Sequence, residues 1–471
     1  MLKNIFITIL LICSVSGVWG QKSVKVKVSG NVITTDGVPA EFINIQLKNT
    51  FYGGTSDGKG YFEFMAPAGQ YTMIVQSIAA HRREFPVTIE EGKENHFADI
   101  EIRENINQLE QVVVTGQFSP QSMRNSLYRV RTVNSEQIRQ KAPTSVQSLL
   151  NTEIGIRLSN DMALGETDFE LMGMSGNNVK ILLDGIPLID RGATKQSLSQ
   201  LDVNSIERVE IVEGPMSVVY GTDALAGVIN IITKKGDGYS EENTWRVGAR
   251  VQEESMGKEY DFFKDKGLHN ESIDLGFNHK SGLFVNGGYT RNNHGGWQGD
   301  LTGREKRWHP KDQALMNGMF GFQNRNMNVW YRLDFLDEKI FGPNNGSELQ
   351  PEKVSDKDFL TKRYTHQLQS DWKLDNRLDV HAALSYQDYK RRTRTTESDL
   401  STGEKWLSSA EASQDITQYK AWIARATVAW NIAPEFSVQP GVEYQWTQGE
   451  GGRIDGTPKV SDLAFFLSAE Y

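Results

Sequence analysis

Trp297, Arg304, Lys306, Arg307 and Trp308 place two indole rings and three cations within twelve positions. Such a set can stack on, or attract, an anionic aromatic complex. The same residue types also serve as interfacial rings and solvated charges in the loops of membrane barrels, so both readings stand at this point. Nothing comparable points to catalysis. His81 and His96 lack the His-Glu-x-x-His spacing of a zinc hydrolase and read as ordinary surface residues. Gly173-Met174-Ser175-Gly176 lacks the Gly-x-Ser-x-Gly spacing of a nucleophile elbow. With no phosphate loop and no metal-ligand cluster either, the sequence predicts no enzyme, no catalytic residue, no cofactor and no metal site.

The elements that would carry these residues are strands. From Trp245 onward apolar and polar residues alternate over strand-length segments, as in a strand with one face to lipid and the other to a polar lumen. Leu378, Val380, Ala382, Leu384 and Tyr386 share one face; Asp379, His381, Ala383, Ser385 and Gln387 share the other. The pattern recurs through Trp245–Val251, Ile273–Phe277, Met327–Phe335, Trp422–Trp430, Phe436–Trp446 and Leu463–Tyr471, and predicts about ten strands. Short links at 280–282, 324–326, 374–377 and 433–435 alternate with long polar ones near 253–270, 292–313, 337–362, 390–417 and 448–460. Short periplasmic turns and long outer loops suit a membrane barrel better than a soluble sandwich, which also alternates but has no reason to pair turns with loops this long. Past the N-terminus no apolar run is long enough for a membrane helix. A net charge of -9 argues against nucleic acid as partner.

Residues 1–20 read as a secretory signal: Lys3, an apolar stretch from Ile5 to Val15, and Val18-Trp19-Gly20 before a cleavage point at Gln21. Cys13, the only cysteine, lies inside that stretch after Ile12 and not after the small residue a lipoprotein site needs, so the mature chain is expected to have no thiol, disulfide or lipid anchor. Residues 21–103 show short apolar segments broken by Asp36-Gly37, Gly53-Gly54, Asp57-Gly58 and Ala68-Gly69, which predicts a small β-sandwich. The order Ser29-Gly30-Asn31-Val32, Thr55-Ser56-Asp57, Gly60-Tyr61-Phe62 and Pro67-Ala68-Gly69-Gln70-Tyr71 resembles the carboxypeptidase regulatory-like, transthyretin-like domains that precede many TonB-dependent receptors of Bacteroidetes.

The stretch 206–235 carries the most specific signal. Val209, Ile211 and Val228 to Ile232 are β-branched runs suited to buried strands, punctuated at Gly214-Pro215, Gly221 and Gly227 by expected tight turns. With Glu213, Tyr220 and Asn230 in order, it resembles the closing segment of the plug domain of TonB-dependent outer-membrane receptors, the siderophore, colicin and cobalamin receptors in particular. Upstream, Ser145-Val146-Gln147-Ser148-Leu149-Leu150 looks like the early plug helix, and Asn178 to Pro187 like the central strand, with Asp184-Gly185 as turn and Pro187 fixing the exit. Many family members carry a basic residue where this chain has Glu213, which puts a plug-to-barrel ion pair there in doubt. Glu110-Gln111-Val112-Val113-Val114-Thr115 resembles the TonB box; a β-branched run with an accessible edge can add to a partner's sheet and transmit a pull.

The expected fold is therefore mainly β. Its parts are signal (1–20), sandwich (21–103), linker with TonB box (104–116), α+β plug (117–236) and part of a transmembrane antiparallel barrel (237–471). A plugged transporter barrel needs about 22 strands, so the resemblance implies a C-terminally truncated chain. It also implies an outer-membrane location, a small iron chelate or similar ligand, and the TonB-ExbB-ExbD complex as energy source. Ferric siderophore is the favoured ligand; cobalamin, haem, glycan or peptide, and a non-transporting surface protein or inactive fragment, stay open, as does a surface lipoprotein lid.

Overall fold

The computed structural model describes residues 25–470 apart from 35–36, 38, 78–79, 94, 103–111, 114–120, 123–128, 162–165, 190–195, 217–219, 221–223, 237–241, 376, 434–435 and 452–453. The expected signal with Cys13 lies outside the described residues, as do Gly221 and, from the coupling segment, Glu110, Gln111, Val114 and Thr115. Val112–Val113 forms a short strand. The chain divides into two compact units, residues 1–112 and 113–471.

The first unit is a two-sheet sandwich. Lys25–Thr34 lies between antiparallel Tyr61–Pro67 and parallel Asn95–Ile102. The second sheet runs Gly53–Thr55, Asn44–Leu47, Gly69–Ser77, Ala80–Ile89. Alternate residues such as Phe62, Phe64 and Ala66 turn inward to meet Ile45, Leu47, Met73 and Val75 in one core. Asp57 builds the turn before Tyr61 by accepting from the Lys59 and Tyr61 amides at 2.8 and 3.0 Å. His96 is exposed, with its Nδ1 3.2 Å from Ser29 Oγ.

In the second unit a mixed sheet orders Arg129–Asn134, Ile206–Glu213, Gly227–Thr233, Val179–Leu183 and Ile186–Pro187. Every residue of Gly227–Thr233 is buried, which is why its sequence reads as a β-branched run interrupted only at Asn230 and not as alternation. Helices Ser135–Lys141 and Val146–Leu150 begin on capping boxes, Asn134 with Gln137 and Ser145 with Ser148, and bury Ile138, Val146, Leu149 and Leu150 against the sheet. Gly227 opens a strand and does not make the turn expected of it. A Cβ there would lie 2.1 Å from the Val212 carbonyl oxygen, at a φ of +147°, so close strand approach is what demands glycine. Gly214, at φ +110°, does sit at a chain reversal just past Ile206–Glu213.

Around this plug stands an antiparallel sheet whose ten long strands pair in chain order: Thr244–Glu254, Leu268–Asn278, Leu283–His294, Lys311–Gln323, Met327–Gly342, Lys353–Asp375, Leu378–Asp399, Ile416–Ala433, Phe436–Glu450 and Lys459–Glu470. Among the described residues the two outermost strands each pair only with their chain neighbour. Faces follow the alternation. Leu384, Trp422, Phe320 and Leu368 point outward and are 42–59% exposed, while Ser385 and Gln387 are 1% exposed against the plug. Two stretches expected to be loops differ. Much of 337–362 and of 390–417 is strand, because Lys353–Asp375 has 23 residues and Leu378–Asp399 has 22. At ~3.3 Å per residue these reach on the order of 70 Å, far beyond a lipid-facing band of about 25 Å. Their outer halves face water on one side and polar lumen on the other, so no apolar period marks them.

Candidate functional site

The Asp184-Gly185 turn is the centre of the plug's attachment. Both residues adopt left-handed backbone, φ 50° and 84°, as a two-residue hairpin between Leu183 and Ile186 requires. The buried Asp184 carboxylate accepts from the Thr233 amide at 3.0 Å and the Thr233 hydroxyl at 2.7 Å, and Lys235 Nζ stands 3.3 Å away. Asn230 Oδ1 accepts from the Gly185 amide at 2.9 Å. The motif residues Asp184, Gly185 and Asn230 are thus one unit, in which the closing strand grips the central hairpin.

The barrel wall reads the backbone of the same hairpin. Gln367 and Gln369 donate to the Leu183 and Asp184 carbonyls at 3.1 and 2.8 Å. Gln387 donates to the Pro187 carbonyl at 2.7 Å and accepts from the Ile189 amide at 3.0 Å. Arg363 Nη2 donates to the Ile189 carbonyl at 3.1 Å. These glutamines were not singled out from sequence, since an inward polar residue on a barrel strand has no distinguishing local signal.

A second contact centres on Asp202, just before Ile206–Glu213. Its Oδ1 accepts from Thr290 Oγ1 at 2.9 Å and the Asn204 amide at 3.0 Å, and its Oδ2 from Asn317 Nδ2 at 3.2 Å. Burial pushes this carboxyl above the ordinary aspartate range, against the pull of those hydrogen bonds and of Arg332. Gln200 Nε2 donates to Glu338 Oε1 at 2.9 Å, completing a band of neutral or singly charged contacts between plug and wall.

Glu213 pairs within the plug: Arg131 Nη2 stands at 2.8 Å and Arg129 Nε at 3.8 Å, both on the adjacent strand. Tyr220 is buried with Met216, Val212 and Val228, and its ring meets the wall through the Arg425 guanidinium 5.0 Å away. Pro215 is exposed. On the short-turn side a cavity of about 460 Å³ lies between plug and wall, bordered by Asp184, Tyr220, Lys235, Asp371, His381 and Arg425.

The outer loop residues are placed as follows. Trp297 and Trp308 exchange backbone hydrogen bonds of 2.8 and 3.0 Å, making a narrow hairpin. Arg304 is bidentate on Asp356, at 3.0 and 2.6 Å. Arg307 pairs with Asp300 at 2.5 Å, which draws the Asp300 carboxyl below its ordinary range. Two of the three loop cations are therefore already matched by carboxylates. Lys306 instead borders a separate cavity of about 340 Å³.

Comparison with known proteins agrees with this architecture. Residues 122–228 match the TonB-dependent Receptor Plug Domain model, and residues 28–114 the CarboxypepD_reg-like domain model. The vitamin B12 transporter BtuB of Vibrio vulnificus is 32% identical over 139 residues, 29% of this chain and 23% of that protein. The ferrienterobactin receptor of Escherichia coli is 33% identical over 125 residues, 23% of this chain and 17% of that protein. This chain therefore aligns with less than a quarter of the length of either relative. Among solved structures, a mutant of the ferric enterobactin receptor of Pseudomonas aeruginosa superposes with a TM-score of 0.52 at 16% identity, over 76% of this chain and 56% of that one. With a plug domain, a preceding CarboxypepD_reg-like domain and a strand-built wall, the chain resembles the TonB-dependent receptors of the bacterial outer membrane.

Proposed function

We propose that this receptor imports a scarce ligand across the outer membrane by energy coupling, with a ferric siderophore as ligand. The observation that carries the reading is the way the plug is held. Its hairpin is fastened to the wall by amide side chains on backbone groups, Gln367, Gln369 and Gln387, beside a small apolar contact of Ile186 with Ala383 and Ile423. Each such bond contributes on the order of 1 kcal/mol, and water can replace it when the plug shifts. A plug so attached is firm at rest and yields to a directed pull. The pull would come from the TonB-ExbB-ExbD complex on Glu110 to Thr115, in the linker ahead of the plug, by strand addition. The cavity beside Asp184 and Arg425 lies on the side of the short turns, where a released ligand would leave.

The siderophore class is supported by the plug's likeness to the ferrienterobactin receptor, and cobalamin is the second reading because the vitamin B12 transporter is equally similar. We assign no enzymatic step. Iron uptake by cells expressing the full-length gene, with and without residues 110–115, tests the proposal. Ligand-dependent uptake that vanishes with the deletion supports it. Surface binding that persists with no uptake in either form favours a non-transporting receptor, and uptake of cobalamin alone moves the ligand to the second reading.

A further inference from the structure

The outward face of the wall, the one turned away from the plug, is unevenly charged. Along Met327–Gly342, Lys353–Asp375, Leu378–Asp399 and Ile416–Ala433 the residues that share this face with Leu384 reach, toward the long loops, Phe335, Tyr364, Tyr386 and Trp422. Their rings pair across strands, Phe335 with Tyr364 at 4.9 Å and Tyr386 with Trp422 at 4.7 Å between centroids. Such a band marks the level at which lipid chains give way to headgroups. Directly above it, on the same face, stand Lys339, Lys362, Lys390, Arg392, Arg394 and Lys420 against Asp337, Asp358 and Asp388. On the four preceding strands acids outnumber cations at this level, Glu253, Glu271 and Asp312 against Arg291. The excess of positive charge therefore belongs to one sector of the wall.

Within that sector the carboxylates are already engaged. Asp358 is shared by Lys339, 3.2 Å away, and Arg394, whose Nε stands at 3.2 Å. Asp337 pairs with Lys362 at 3.3 Å, and Asp388 accepts from Gln418 Nε2 at 2.7 Å. Lys390 and Arg392 are exposed and form no ion pair among the described residues. Register works against them: Lys390 lies directly opposite Lys362, and Arg392 lies between Leu360 and Ile416. Like charges directly opposite one another destabilise a sheet, and an anion placed between them turns that repulsion into attraction.

We propose that Lys362, Lys390 and Arg392, with Lys420 at their edge, bind the phosphate of an anionic glycolipid of the outer leaflet, whose acyl chains run down over Tyr386, Trp422, Leu384 and Leu368. Arg392 offers two parallel donors to phosphate oxygens, and the lysines add charge without fixed direction. Below them Leu368, Leu384 and Trp422 are 42–45% exposed and give the chains an apolar bed. From Lys339 to Lys420 the cations cover four neighbouring strands, three spacings of about 4.8 Å. That width exceeds one glycerophosphate headgroup and suits an acylated, phosphorylated disaccharide. The site faces lipid and not the lumen, so it depends on the outer-membrane location and on no imported ligand.

The test mixes the purified full chain, in nonionic detergent, with a synthetic diphosphorylated lipid A, its dephosphorylated form or phosphatidylglycerol, and reads bound lipid by native mass spectrometry. The parent is expected to retain the phosphorylated glycolipid, with Lys390→Gln/Arg392→Gln weakening retention on the order of tenfold and leaving that of the dephosphorylated form unchanged. Lys258→Gln/Lys264→Gln removes the same charge from the exposed loop after Thr244–Glu254 and is expected to behave as the parent does. If the double variant at 390 and 392 lacks the β-sheet circular dichroism of the parent, the single variants Lys390→Gln and Arg392→Gln carry the test, each with several-fold weaker retention expected. Equal retention by parent and these variants, an equal loss in the loop variant, or no preference for the phosphorylated glycolipid over the other two lipids overturns the site.

Discussion

Gln387 of the wall and Pro187 of the plug are joined by an amide donating to a carbonyl at 2.7 Å, while the same side chain accepts from the Ile189 amide at 3.0 Å. One glutamine thus satisfies the donor and the acceptor that a neighbouring strand would have satisfied. Because both backbone groups are otherwise without a strand partner, Gln387→Met, close in shape but without the amide, is expected to cost about 1–3 kcal/mol of plug attachment. Hydrogen exchange at the Ile189 amide checks this. Unchanged protection in the variant would mean that the bond does not hold the hairpin.

Gly227 lies under the Val212 carbonyl, where an added Cβ would approach to 2.1 Å at φ +147°. No side-chain rearrangement can relieve a clash with backbone. Gly227→Ala is therefore expected to cost on the order of 3 kcal/mol or more and to loosen the pairing of Ile206–Glu213 with Gly227–Thr233. By contrast Gly403→Ala, with open space at the Cβ position and φ +77°, meets only the backbone penalty of about 1 kcal/mol. Comparable denaturation midpoints for the two variants would contradict the close-approach argument.

What could be read from sequence follows from where periodicity has a cause. Leu384 and Ser385 alternate because lipid and plug lie on opposite sides of one strand, so the barrel faces were legible. Beyond the lipid, Asp356 and Thr395 sit on strands whose two sides are both wet or polar, and there the alternation vanishes and strands read as loops. Asp184-Gly185 was legible because only a few residues tolerate two successive left-handed positions. Gln367 and Gln369 were not, because their significance lies in partners found across the lumen on segments far away in the chain.

Asp202 gives a pH dependence with a defined sign. Burial raises its carboxyl above the ordinary value of 3.8, so the folded state prefers the protonated acid. Its contribution is full below the unfolded value and is lost as pH rises through the folded one. Asp202→Asn is uncharged throughout, so the stability of wild type relative to the variant is expected to fall as pH rises from about 4 through the raised value. Denaturant unfolding of both proteins across that range measures the difference. A constant gap, or one that widens in favour of wild type at the higher pH, would show that the hydrogen bonds from Thr290, Asn204 and Asn317 outweigh burial.

Arg304 tests whether a loop cation serves the ligand or the loop. Its two-point contact with Asp356, together with a hydrogen bond of 2.9 Å to the Asn344 carbonyl, fixes the hairpin of Trp297 and Trp308 to the end of Lys353–Asp375. Such a half-buried bidentate pair has a coupling energy of about 1 kcal/mol. Arg304→Ala and Asp356→Ala are therefore expected to be non-additive in a stability cycle, and the charge-swapped Arg304→Asp/Asp356→Arg to recover part of the loss. In titrations with an anionic iron complex Asp356→Ala, which frees the guanidinium, is expected to leave affinity nearly unchanged. Additive stability effects with tighter binding on Asp356→Ala would reverse the assignment, making Arg304 a ligand contact that Asp356 restrains.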